Sequence, residues 1–416
     1  MGYPSTHVEK VAPMTLSRRW PSRCAPLWIL PAVLAIGCGG GEATAPPSPT
    51  FGIVAGDRQE ASVCAAVPTV PTVRFDQGGK AQPGVPVTFK VTAGGGSVTG
   101  GDASTDAAGI ATVESWTLGV IPGPNALTAT VSSSGHVYSV TFTATGHPEQ
   151  VLRNVIVYTT EEFGGPDVAI VRPDGSCRRR LTPGDAPYAG PAISPDGRRI
   201  AVARYNGAWN SIYLMQADGS GLTKLVGHSD FDGSPAWAPD GRRIAFRSEN
   251  PGPFGAFGRI YVVNVDGTGL RQVTPDTPDY TYDDGPTWSP DGARIAFSRN
   301  GGLQVINADG TGLTTLPEGA EYPAWSPDGA HIAYGTSSGS WPILVVNADG
   351  SNPVPLTSDT VPKGMPRWSP DGQRLVFYRV IGTTSQLFII RVDGSGESKL
   401  SDGGVNEDWP RWSPLP

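Results

Sequence analysis

The sequence predicts an all-β protein: a six-bladed β-propeller preceded by a smaller β-sandwich. Three observations predict it. A Pro-x-x-Ser/Ala-Pro-Asp-Gly repeat begins at Pro191, Pro235, Pro286, Pro323 and Pro366. A second Asp-Gly turn recurs out of phase with it, at Asp174, Asp218, Asp266, Asp309, Asp349 and Asp393. The 55 glycines and 41 prolines punctuate short apolar runs, which makes them turn residues and not a sign of disorder.

Each repeat continues into an apolar run, such as Arg243-Ile244-Ala245-Phe246 or His331-Ile332-Ala333-Tyr334. A loop and a second run follow, as in Ile260-Tyr261-Val262-Val263, then the second Asp-Gly and a short closing strand. Asp-Gly accepts the positive φ of tight turns, so it joins neighbouring antiparallel strands. Each repeat therefore holds four strands, A to D. Four-stranded units of this length are propeller blades, and they stack around an axis because one alone cannot bury both faces. The first unit, Asn154 to Pro183, lacks strand A, and Trp409 to Pro414 reads as an A strand without its unit. Together they complete one blade, which sets the expected number at six over residues 151–416 and leaves no free sheet edge.

The stretches Pro286 to Phe297 and Ile260 to Thr274 resemble the TolB-like propeller repeat of the bacterial envelope. The resemblance implies a fold more firmly than an activity. It also implies a protein that recruits other envelope proteins. Similar propellers serve as regulatory domains of prolyl oligopeptidases and tricorn-type proteases, whose catalytic domain is separate.

Residues 51–147 alternate for one buried face in Val85 to Val91, Ile110 to Trp116, Asn125 to Val131 and Val137 to Phe142, with Gly-rich or Pro-Gly turns between. Val85 to Val98, Thr105 to Gly119 and Asn125 to Val131 resemble a bacterial Ig-like domain of the invasin/intimin type. That resemblance implies a spacer without catalytic residues. Trp116 is expected in its core.

The N-terminus reads as a targeting segment. Arg18, Arg19 and Arg23 precede an apolar run, Ala25 to Gly37, too short for a spanning helix. Leu34-Ala35-Ile36-Gly37-Cys38 resembles a lipobox, which implies a signal peptide over 1–37 and lipidation at Cys38. Either Met1 or Met14 serves as its start. Residues 38–50 are a Gly/Pro/Ser/Thr-rich tether. The expectation is a membrane-anchored lipoprotein of the envelope, facing the periplasm or held at the outer membrane, with membrane contact through the lipid alone.

Charged residues make up 17% and the net charge is -7, so no basic face for nucleic acid is present. Cys64 and Cys177 fall in different predicted domains. The sequence leaves their pairing open, and two unpaired thiols are the plainer reading. No zinc or EF-hand spacing occurs, and no metal or other cofactor is expected.

Function is expected where the repeats differ. The A–B and C–D turns are short and uniform and lie on one face. The B–C and D–A loops vary and lie on the other. The candidate partner-binding acids are Asp230, Asp232, Asp279, Asp283, Asp284, Glu321, Glu407 and Asp408, with Tyr280, Tyr282 and Trp341 as aromatic anchors. Arg204, Arg247, Arg299 and Arg379 answer them from the B–C side. Two readings stay open: solvated pairs that compensate each other, or a polar funnel that steers a protein or glycan partner. The rival expectation is a metal-dependent lyase or hydrolase acting at the central channel. The leading one is a binding protein, not an enzyme.

Overall fold

The computed structural model describes residues 48–227, 231–252, 255–277, 281–336, 342–401 and 404–414. Cys38 lies outside them, as do Asp230, Asp279, Tyr280 and Trp341. The described residues form strands and turns and no helix.

Residues 50–147 fold as two main sheets. One orders Thr50–Ala55, Thr72–Gln77 and Lys80–Ala81, with Ile110–Thr112 also on Thr72–Gln77. The other orders Gln59–Ser62, His136–His147, Gly123–Ser133, Pro86–Ala93 and Asp102–Ser104. Alternation explains the burial. In Pro86–Ala93, Val87 and Phe89 point inward while Pro86, Thr88 and Lys90 face solvent. Phe75, Phe89, Leu127, Phe142 and Trp116 share one core. The run from Ile110 to Trp116 is not one strand. It breaks at Val113 and Glu114, whose amides bond to Pro71 and Thr99, and Ser115–Leu118 pairs instead with Gly96–Thr99. A glycine-rich segment expected to be loop thus supplies a strand.

Beyond residue 152 the chain forms four-stranded antiparallel units. Ile156–Thr160, Asp167–Val171 and Arg179–Arg180 are completed by Glu407–Trp412 from the far end of the chain. Ser413 fastens this join, because its amide donates to the Val155 carbonyl at 2.8 Å and its Oγ accepts from the Val155 amide at 3.0 Å. The innermost strands of the later units are Tyr188–Ile193, Phe231–Trp237, Asp283–Trp288, Glu321–Trp325 and Lys363–Trp368. Each touches the next, and Glu407–Trp412 touches both Lys363–Trp368 and Tyr188–Ile193. The series therefore returns to its start.

Repetition at the turns is chemical as well as sequential. Within Ser-Pro-Asp-Gly, the aspartate Oδ1 accepts from the serine hydroxyl and from the amide two residues on, as at Asp196, Asp291 and Asp371. These aspartates hold turns. The tryptophans seal neighbouring units: the indole N–H of Trp237 donates to Ala192, of Trp288 to Ala236 and of Trp368 to Ala324.

Cys64 and Cys177 are joined in a disulfide, with Cα atoms 5.6 Å apart. The unpaired reading is thereby corrected. The sequence could not bring them together, because 113 residues separate them. Cys177 lies in a C–D turn, and the segment between the two parts is tied nearby: Leu152 N–H bonds to Gly197 O in an A–B turn, and Gln150 to Asp218 in a C–D turn. The N-terminal part is thus fastened on the uniform-turn face.

Candidate functional site

The variable-loop face is built on a bulge that recurs in every innermost strand. The residue before the recurring proline takes a left-handed backbone: Gly190 (φ 58°), Ser234 (51°), Gly285 (61°), Tyr322 (50°), Met365 (52°) and Trp409 (53°). The register slips there in each pairing, for example between Gly233 and Ala236. At 285 a Cβ would stand 3.0 Å from Tyr322 Cδ1, so a side chain there would press on that ring. Tyr322 and Trp409 meet edge to face at 5.2 Å. The unit carrying Lys363–Trp368 lies between theirs, so this contact joins innermost strands that are not neighbours.

On this face the four predicted arginines are all paired, two of them with predicted acids. Asp283 accepts both Nε (2.6 Å) and Nη2 (2.8 Å) of Arg299. Asp284 takes Arg247 Nη1 at 3.0 Å, Ser234 Oγ at 2.7 Å and its neighbour Gly285 N–H at 2.6 Å. Glu249 joins through Arg247 and the Tyr282 hydroxyl. Arg204 spans Tyr188 and Asp185. Arg379 reaches Asp359 and Glu397, and Lys363 donates to Asp359 at 2.8 Å. Arg178 pairs with Glu407. The pairs differ in solvation: Asp185 is about half exposed beside Arg204, whereas the Arg299–Asp283 pair is sealed. Asp232, Asp283 and Glu407 are wholly buried, so their carboxylates hold the ring and cannot reach a partner directly. The exception is Asp408: burial, with Glu161 nearby, pushes its carboxyl up to about 7.

What remains accessible is narrower than the candidate set. Tyr282, Asp284, Ser298, Asn300, Glu321 and Tyr322 line a cavity of about 170 Å³ on this face. Beside it, Tyr205, Trp209 and Phe231 are 37%, 48% and 41% exposed. Register sets them together: Tyr205 pairs with Asn210, and Asn210 bridges to Phe231 in the next unit. The loop is fixed, because Asn206 Oδ1 accepts from the Trp209 and Ala208 amides. Tyr205 was not among the candidates. Its signal is modest, an aromatic one residue past Arg204 at a strand end.

The channel's other mouth holds a second cavity of about 210 Å³, between Trp237, Trp288, Trp412, Arg367 and Arg411. Burial pushes the Arg411 guanidinium down to about 9. Among the described residues no group of three His, Cys, Asp or Glu side chains stands close enough to share a metal ion. A Gly-x-Ser-x-Gly spacing does occur, Gly335 to Gly339, with Ser337 to Gly339 outside the described residues.

Comparison with known proteins now bears on this arrangement. The family model of the TolB beta propeller domain matches residues 153–361, half of the chain. The chain belongs to this family. Among solved structures, TolB from Acinetobacter baumannii is similar at a TM-score of 0.54 and 18% identity, covering 71% of this chain and 80% of its own. Hydrazine synthase from Kuenenia stuttgartiensis matches at 0.52 and 16%, over 62% of this chain and 46% of that one. At these identities the likeness is one of fold. No curated protein matches the chain. The TolB-type propeller thus accounts for the repeated core, and the loops that differ carry whatever is particular to this member.

Proposed function

We propose that this chain is a lipid-anchored envelope protein whose six-bladed propeller binds a protein partner through its variable-loop face. In this reading the Ig-like sandwich is a spacer, and Cys38 carries the lipid. The observation that carries it is the exposure of Tyr205, Trp209 and Phe231 at neighbouring strand ends on that face. Exposed aromatics on a rigid platform are what interface anchors need. The disulfide at Cys177 supports the orientation, since it ties the sandwich to the opposite face and leaves the loop face open. The internal ion pairs keep that platform stiff. Family membership favours an envelope location and a protein over a glycan.

The test is affinity capture from envelope extract with wild-type protein and with a Tyr205→Ala/Trp209→Ala/Phe231→Ala variant. The reading expects a partner that the wild type retains and the variant loses. Identical captured sets would contradict it.

A further inference from the structure

Tryptophan recurs at one position of the repeat, and its surroundings are nearly constant. Trp237, Trp288, Trp325 and Trp412 each lie beneath a guanidinium from the preceding unit. Arg199, Arg243, Arg294 and Arg374 place Cζ at 4.9, 4.7, 4.8 and 5.1 Å from the respective ring centroids. Each of these arginines opens strand B, directly after the Pro-Asp-Gly turn. Trp368 differs. The residue that opens the preceding strand B is His331, whose side chain is shorter and carries no planar fork.

A cavity of about 360 Å³ stands there, lined by Trp368, His331, Asp328, Asp371, Val345 and Val392 among others. Its acid is set for a donor. Asp328 Oδ1 accepts from Ser326 Oγ and the Ala330 amide, and among the described residues nothing donates to Oδ2. In the unit with Arg243, the matching oxygen, Asp240 Oδ2, accepts Arg243 Nε at 2.8 Å.

We propose that this cavity is a guanidinium-binding site, filled by an arginine side chain of a partner protein in the place that the chain's own arginines take at the other four tryptophans. The occupant would stack on Trp368 and donate to Asp328 Oδ2. A lysine fits less well, because a compact ammonium cannot stack on the ring and donate sideways together. The site lies on the uniform-turn face, so it is independent of the loop-face reading.

The chain itself supplies the decisive variant. His331→Arg restores the residue that the repeat carries elsewhere, so it should fold and fill the cavity from within. The full chain is titrated with N-acetyl-arginine amide, N-acetyl-lysine amide and N-acetyl-citrulline amide, read by calorimetry and tryptophan fluorescence. The arginine probe should bind the wild type, with the lysine probe weaker and the uncharged citrulline probe silent. His331→Arg should weaken arginine binding by about tenfold or more, and its melting temperature should not fall. The proposal is overturned if the arginine probe does not bind, if citrulline or lysine binds as well, or if His331→Arg binds arginine undiminished.

Discussion

At the scale of single residues, charge placement decides more than charge count. Burial, with Glu161 nearby, lifts the Asp408 carboxyl from its ordinary 3.8 to about 7. Between those values the unfolded chain has shed the proton that the folded chain still holds. Stability therefore falls as pH rises from about 4 to 7 and is flat above. Asp408→Asn should match the wild type near pH 4 and exceed it by about 1–2 kcal/mol at pH 8, a shift discounted for partial exposure. Urea midpoints at a series of pH values check this, and a constant difference across the range would contradict it. The sequence marked Asp408 as one of many acids on a loop. It carried no sign that Asp283 and Glu407 would be sealed while Asp408 has no cationic partner among the described residues, because that depends on which arginine each strand register delivers.

Elements were legible to the degree that they repeat. Pro-Asp-Gly and the second Asp-Gly marked turns because the aspartate and glycine each meet a local backbone need. The bulge before each proline was not legible, since Gly190, Ser234, Gly285, Tyr322, Met365 and Trp409 share a conformation and no chemistry. The break at Val113 was hidden for a related reason: the pattern from Ile110 to Trp116 alternates whether the strand stays in one sheet or crosses to another. The disulfide depends on contacts between separate parts of the chain. Breaking it by Cys64→Ser should cost about 2–4 kcal/mol under oxidising conditions, and reductant should bring the wild type down to the variant. Equal melting temperatures with and without reductant would show that the bond contributes nothing.

For the whole molecule, a ring closed between Glu407–Trp412 and Ile156–Thr160 presents two unlike faces. Uniform turns, the disulfide to the N-terminal sheets and the Trp368 cavity share one. The other carries the Tyr322–Trp409 contact, the buried ion pairs and the exposed aromatics. All-β class and a TolB-type propeller were readable from the repeat. The working part of the loop face was not, because exposure is set by packing. The central claim is that partner binding uses this face. Hydrogen exchange of the full chain, with and without the captured partner, tests it most directly. Protection should appear around Tyr205 to Asn210 and Phe231 and along the loops beside Tyr282 and Glu321. Protection confined to the Pro-Asp-Gly turns or to the strands of residues 50–147 would contradict it.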